Sequence, residues 1–359
     1  MKLHALNQRI EDSAIGERNL SRGLDGPGGS YLAQRTIPEQ ASQTYARPQR
    51  VYDSIVELIA NTEDPTPMVR LSPRFNKSED FEIYLKLEGF NPFGSIKDRT
   101  ALYLLRGTEL SDGQILAEPT AGNTGIALAA LANAQGTPIS LAVPEGTPEE
   151  KKTLLRFLGA ELLEVEDELC PLFPTEGARG VVKSLVESLA YEGKYVSPNQ
   201  YENELNVEAH YRTTGPEIWN QTEGKIDYFF AAFGTCGTIT GVGRYLKERN
   251  PDIKIIGIEP TSRNHKLSGI KKISNLPDEF KPKILDYSLI DEIIAVDDRD
   301  AFETGIRLAR TEGIMVGPTT GALLYAAQVS GASSSGTAVV ISPDDATKYV
   351  SAYAEYLEE

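Results

Sequence analysis

Residues 81–87 alternate apolar and polar side chains, Phe81-Glu82-Ile83-Tyr84-Leu85-Lys86-Leu87, which is the two-residue period of a strand with one buried face. Thr100-Ala101-Leu102-Tyr103-Leu104-Leu105 then has helical composition. Residues 226–233 are an apolar run of the kind a fully buried strand requires, and they lead through a glycine-rich turn into a helix ending near Asn250. Residues 139–144, 161–165, 253–259, 292–296 and 337–342 read as further strands, and residues 148–158 as a charged amphipathic helix. From about residue 80 onward strand-like and helix-like segments alternate, which predicts an α/β fold of parallel sheets covered by helices.

One lysine stands where the first strand gives way to the first helix. In Asn91-Pro92-Phe93-Gly94-Ser95-Ile96-Lys97-Asp98-Arg99 the turn places Lys97 near a helix N-terminus. The positive helix end and apolar neighbours both disfavour an ammonium, and a lysine so placed can attack an aldehyde to form a Schiff base. An ordinary surface lysine on a first helical turn has the same spacing. Two further segments supply what an aldehyde cofactor bearing a phosphate, pyridoxal phosphate, would need. Gly234-Thr235-Cys236-Gly237-Thr238-Ile239-Thr240-Gly241-Val242-Gly243 follows the buried strand and points backbone N–H groups and hydroxyls at one spot, an anion site by geometry and helix dipole. A dinucleotide fold also uses a strand, a glycine-rich turn and a helix, but no Gly-x-Gly-x-x-Gly is present here, and the hydroxyls suit a phosphate monoester better than a pyrophosphate. Glu118-Pro119-Thr120-Ala121-Gly122-Asn123-Thr124-Gly125 is a second such turn. Its amides could hold a carboxylate and Asn123 a phenolic oxygen, or the same residues could simply cap a helix.

Together these residues resemble the cysteine synthase and cystathionine β-synthase group of fold-type II pyridoxal-phosphate enzymes. The matching motifs include residues 86–99, the turn at residues 120–125, Asn199-Gln200-Tyr201-Glu202-Asn203, residues 209–215, the turn at residues 234–243, residues 317–322, and Ser342-Pro343-Asp344-Asp345 with Tyr349. They fall in family order from about Pro65 to the end of the chain. The resemblance implies two lobes, each a mainly parallel sheet flanked by helices, with the cofactor between them: residues 93–205 as a small mobile lobe, residues 56–92 and 206–359 as a large cofactor-binding lobe, and residues 1–55 as an N-terminal extension. It makes Lys97 the Schiff-base lysine and the base for the substrate Cα proton. It sets Asn123 beside the cofactor ring oxygen, Gly234, Thr235, Cys236, Gly237 and Thr238 around the phosphate, and Thr319 at the pyridine nitrogen. Thr120, Ala121, Gly122, Thr124 and Gln200 would bind the amino-acid carboxylate. A hydroxyl at the ring nitrogen, where an aspartate would hold it protonated, gives a weaker electron sink and favours loss of a β-substituent over transamination.

Composition narrows the partners. Thirty-six basic against 52 acidic residues give a net charge of -16, which argues against a general nucleic-acid or anionic-membrane binder. No apolar run reaches the length of a membrane span, and the first residues lack the apolar stretch of a signal peptide, so a cytoplasmic protein is expected. Two cysteines, Cys170 and Cys236, and three scattered histidines suggest neither a disulfide scaffold nor a metal site. Residues 1–55 are polar and glycine-containing; Tyr31, Leu32 and Tyr45 would let this arm bury something against a neighbouring subunit or the cleft mouth.

Departures from the family pattern bear on the substrate. Ala121 stands where most relatives have serine, Cys236 where they have glycine and Thr319 where they have serine. After His265-Lys266-Leu267-Ser268-Gly269-Ile270 the chain continues with Lys271-Lys272 in place of small residues. A cation there would pair with a departing phosphate dianion, unless both lysines are solvated loop residues. The expected activity is a homodimeric sulfhydrylase making L-cysteine from an activated serine, O-phosphoserine before O-acetylserine, and sulfide. Cystathionine synthesis with homocysteine and a catalytically silent scaffold are the alternatives.

Overall fold

The fold is described from a computed structural model, over residues 51–120, 122–166 and 175–357. The 81–87 alternation becomes strand β2 (Phe81–Leu87), whose Phe81, Ile83 and Leu85 are fully buried. β1 (Met68–Arg70) runs antiparallel to it at the sheet edge. β3 (Ile115–Pro119), β4 (Ile139–Pro144), β5 (Glu161–Val165) and β6 (Tyr195–Val196) form one parallel sheet in the order β5-β4-β3-β6. The other sheet takes in β7 (Tyr228–Ala232), β8 (Lys254–Pro260), β9 (Glu292–Val296) and β10 (Gly336–Ser342) in the order β1-β2-β10-β7-β8-β9, parallel apart from the first pair.

Side-chain alternation sends the inner strands of the large sheet into two cores. Phe81, Ile83, Leu85, Phe230, Ile256, Ala338 and Val340 belong to one apolar cluster, while Phe229, Ala231, Ile255, Val339 and Ile341 belong to another. Burial on both faces is why residues 139–144 and 226–233 are apolar almost throughout. In the small sheet Leu116, Ile139, Leu141 and Val143 face one cluster and Ala117 and Ala142 the other.

The helices are α1 (Lys97–Arg106), α2 (Asn123–Ala134), α3 (Glu149–Phe157), α4 (Gly177–Glu187), α5 (Leu205–Ala209), α6 (Gly215–Gln221), α7 (Gly237–Arg249), α8 (Asp298–Glu312), α9 (Pro318–Gly331) and α10 (Val350–Leu357). A π-helical turn, His210–Thr214, joins α5 to α6. α2 and α9 are rich in alanine and glycine because they are packed on nearly every side. A Cβ on Gly321 of α9 would stand 2.0 Å from the Ala301 carbonyl oxygen in α8.

The parallel sheets flanked by helices are the architecture expected from the sequence. The small sheet draws its strands from residues 115–196 and the large sheet from residues 68–87 and 228–342. Tyr52–Glu359 forms one compact unit, and residues 1–50 of the N-terminal extension lie outside the described residues. No helix among the described residues is long and apolar enough to cross a membrane.

Candidate active site

The segments after β2, β3, β7, β8 and β10 converge at the strands' carboxyl ends, where open parallel sheets place their ligands. Lys97 is the first residue of α1. The turn before it is closed by Asp98, whose carboxylate accepts from the Phe93 N–H at 2.7 Å and the Ser95 hydroxyl at 3.3 Å. Burial pushes the Asp98 carboxyl up to about 7, against the pull of the Phe93 N–H. Lys348 donates to the Phe93 and Gly94 carbonyls, both at 2.9 Å, and the Ile96 N–H donates to the Pro343 carbonyl at 2.8 Å. Beneath the turn lies a fully buried set of charges. Arg99 donates to Glu88 at 2.7 Å and pairs with Glu217, and Lys86 meets Glu217 at 2.7 Å. Burial opposes the Glu88 charge, but Arg99 and Lys86 outweigh it and hold its carboxyl down at about 2.

The turn after β7 is shaped for an anion. Cys236 adopts a left-handed backbone (φ 73°) and caps α7, so its sequence position requires what glycine usually supplies. A Cβ on Gly234 would come within 2.5 Å of the Gly269 carbonyl oxygen, and one on Gly237 within 2.1 Å of the Asn206 side-chain oxygen. The hydroxyls of this turn are oriented from behind: Asn206 donates to the Thr235 oxygen at 3.0 Å, and His210 Nε2 lies 3.3 Å from the Thr238 oxygen. Burial first, then the Lys97 and Arg99 charges, drives the His210 pKa well below the ordinary imidazole value, so the ring is neutral.

At the turn after β3 the Thr120 hydroxyl accepts from the Gly122 and Gly125 N–H groups, both at 3.1 Å, while the Thr124 hydroxyl donates to Gln200 at 2.7 Å. Buried Glu118 holds the Gln200 loop by accepting from the Gln200 N–H at 2.9 Å, the Asn199 N–H at 3.0 Å and the Ser197 hydroxyl at 3.1 Å. Burial raises its carboxyl to about 7 even so. The Asn123 amide donates to Asp344 at 2.6 Å, and Tyr349 donates to the same carboxylate oxygen. Burial raises the Asp344 carboxyl.

These turns enclose a cleft. One part, about 590 Å³ including its open mouth, is lined by Lys97, Asn123, Gly234, Thr235, Cys236, Thr238 and Thr319 together with Asp344 and Tyr349. It continues into a second part that shares Lys97 and Asn123 and adds Thr120, Gly122, Thr124, Gln200 and Tyr201. Gly237 stands behind the lining, at the start of α7. Lys271 and Lys272 line neither part. Lys271 is buried with its ammonium 4.5 Å from the centre of the Tyr201 ring, and Lys272 is paired with Glu259 at 3.0 Å. Ala121 and Cys170 lie outside the described residues.

A profile of the family described as "Pyridoxal-phosphate dependent enzyme" matches residues 59–344. The chain belongs to that family. It is 39% identical over 313 residues to a cysteine synthase of Aquifex aeolicus, covering 84% of this chain and 92% of that one. It is 40% identical over 292 residues to cysteine synthase B of Escherichia coli, covering 80% and 92%. The crystal structure of a cysteine synthase (OASS) from Entamoeba histolytica superposes with a TM-score of 0.73 at 31% identity, covering 85% of this chain and 90% of that one. A structure of O-ureido-L-serine synthase gives a TM-score of 0.73 at 30% identity, covering 84% and 94%.

The cofactor of this enzyme is therefore pyridoxal phosphate, and the cleft fits it. Asn123 Oδ1 and Asp344 Oδ1 are buried without a hydrogen-bond partner among the described residues, as polar atoms reserved for a ligand would be. The backbone at Gly234 and Gly237 leaves room beside the α7 N-terminus that any side chain would fill. Sequence reasoning missed several residues of this surround. Glu118, Asn206 and His210 act from behind the cavity wall; Glu118 and His210 fall within motifs that the sequence displayed without revealing their part, and Asn206 falls in none. Lys151, in the charged helix α3, reaches into the cleft, and the only signal was a cation in the first turn, against the helix dipole.

Proposed function

We propose that this enzyme makes L-cysteine by β-replacement, with O-phospho-L-serine as first donor, O-acetyl-L-serine as second, and sulfide as the incoming nucleophile. The observation that carries the reading is the continuity of the cleft: the cradle of Gly234, Thr235 and Thr238 opens past Lys97 and Asn123 onto Thr120, Thr124 and Gln200. Lys97 would hold the cofactor, and Thr235, Thr238 and the first amides of α7 its phosphate. When bound, pyridoxal phosphate supplies an electron sink joined to the substrate Cα. Thr319 would present its hydroxyl to the ring nitrogen, Asn123 would lie beside the ring oxygen, and Thr120, Thr124 and Gln200 would orient the substrate carboxylate. Lys97 Nζ takes the Cα proton and later returns it.

Support for a phosphorylated donor comes from a buried cation at the substrate end, Lys151 in the wall, whereas Lys271 is screened from the cleft by Tyr201. Lys272, committed to Glu259, is removed from that role. The reading includes a homodimer acting in the cytoplasm. Steady-state rates with O-phosphoserine, O-acetylserine and serine, each with sulfide or homocysteine, test the assignment. The highest kcat/KM should fall to O-phosphoserine with sulfide, and a preference for homocysteine would replace this reading with cystathionine synthesis.

A further inference from the structure

Lys151 is 1% exposed, and its side chain crosses the substrate turn to end inside the cleft. The crossing is possible because residue 122 is glycine: a Cβ there would lie 2.8 Å from Lys151 Cδ and 3.5 Å from its Nζ. The ammonium donates to the Ser268 hydroxyl at 3.1 Å and lies 4.0 Å from the centre of the Tyr349 ring. Its neighbour Lys152 turns the other way, onto Glu164 at 2.6 Å and the Glu145 carbonyl at 2.7 Å. The adjacent lysines thus have different buried destinations, one against the ends of β4 and β5 and one in the cavity shared with Lys97, Thr124 and Gln200. Placing a cation in the first turn of a helix and burying it both work against folding, and inside the cleft its charge is felt by the Asp344 carboxyl, which burial raises and the ammonium helps to lower.

We propose that Lys151 is a specificity-determining residue whose ammonium binds the anionic β-substituent of the donor and stays with it as it departs. The inference rests on the β-replacement reading above. The donor carboxylate already has the Thr120, Thr124 and Gln200 groups and the first amides of α2, which leaves the cation for the donor's second anionic group. As the Cα proton moves to Lys97 Nζ, the Cα–H pair becomes a Cα–Cβ double bond and the Cβ–O bond breaks, its electron pair staying on the departing oxygen. Lys151 stabilises that growing charge, and Ser268 receives the ammonium again once the anion has left.

The test compares Lys151→Met with Lys151→Arg in the holoenzyme on three donors with sulfide. O-phosphoserine carries its charge from the start, O-acetylserine develops it on leaving, and β-chloro-L-alanine expels chloride, a weakly basic anion that needs a cationic partner least. For Lys151→Met, kcat/KM should fall at least about thirtyfold with O-phosphoserine, less with O-acetylserine and under about threefold with β-chloroalanine, and arginine should restore most of the loss. Inorganic phosphate, titrated calorimetrically, should bind the methionine variant at least about tenfold more weakly. Equal losses on all three donors, or unchanged phosphate binding, would overturn the inference. If the methionine variant does not fold, Lys151→Gln is judged by the same ratios. Should the wild type refuse O-phosphoserine, the donor assignment fails by itself, and Lys151 is still judged by the acetyl-to-chloro ratio.

Discussion

The buried charges beneath Lys97 and the polar atoms of the cleft beside it are treated oppositely. Lys86, Glu88, Arg99 and Glu217 are all fully buried, and each cation meets a carboxylate. In the cleft Asn123 and Asp344 bind each other yet leave an oxygen apiece unsatisfied. A compensated network fixes one geometry, because breaking any contact strands a charge in a dry interior. Unspent hydrogen-bonding capacity does the reverse, and where it lines a cleft it leaves atoms for a ligand to satisfy. The contrast separates residues that hold the site from residues that use it.

The strongest break between the two classes is at Lys97. Lys97→Ala should reduce turnover by about a thousandfold or more, while the urea midpoint stays within experimental error of wild type, and Lys97→Arg should not rescue it because a guanidinium stays protonated. Substantial activity in the alanine variant, without an added amine, would remove Lys97 from the chemistry. Arg99→Ala should show the opposite profile. Stranding Glu88 and Glu217 should lower the unfolding free energy by about 3–5 kcal/mol, measured by urea denaturation. An unchanged midpoint there would mean that water or rearrangement already satisfies the acids.

Glu118 sharpens the comparison through pH. Its carboxyl is raised from the ordinary 4.5 to about 7, so the fold favours the protonated form. That contribution is complete below pH 4.5 and is lost as pH rises through 7. The stability of wild type relative to Glu118→Gln should therefore fall by up to about 3 kcal/mol between those limits, and a difference that does not vary with pH would contradict the raised pKa. The smallest effect is expected at Asn123. Asn123→Ala should weaken pyridoxal phosphate by about 1 kcal/mol and shift its absorption, followed by spectral titration; an unaltered spectrum and affinity would place Asn123 outside the cofactor's reach.

Much of the frame was legible in the sequence. Residues 139–144 coincide with a strand because burial on both faces of a parallel sheet leaves an apolar run with clear ends, while 161–165 and 292–296 are short, largely uncovered edge strands whose paired apolar residues marked them. The Lys97, Thr120 and Gly234 turns stood out through glycine, threonine and asparagine at helix starts. Strand β6 did not, since at two residues it is set by its partner β3 and has no period of its own. The Lys271-Lys272 pair shows the limit of local reading: adjacent lysines on one loop end on Tyr201 and Glu259, and only the packing of β8 against that loop distinguishes them. Lys151 was hidden for the same reason, inside a helix whose composition suits a solvated face.

The hydrogen bond from Ile96 to Pro343, with the bridge between Ser95 and Asp344 beside it, has a mechanical meaning. The start of α1 and the end of β10 are joined as one rigid corner, although more than two hundred residues of chain separate them. Lys97 is therefore tied to both sheets: to the large one through this corner, and to the small one because α1 packs Ala101 and Leu105 in the same apolar cluster as Leu116 and Leu141. One residue is thereby anchored between the Gly234 turn of one sheet and the Thr120 turn of the other.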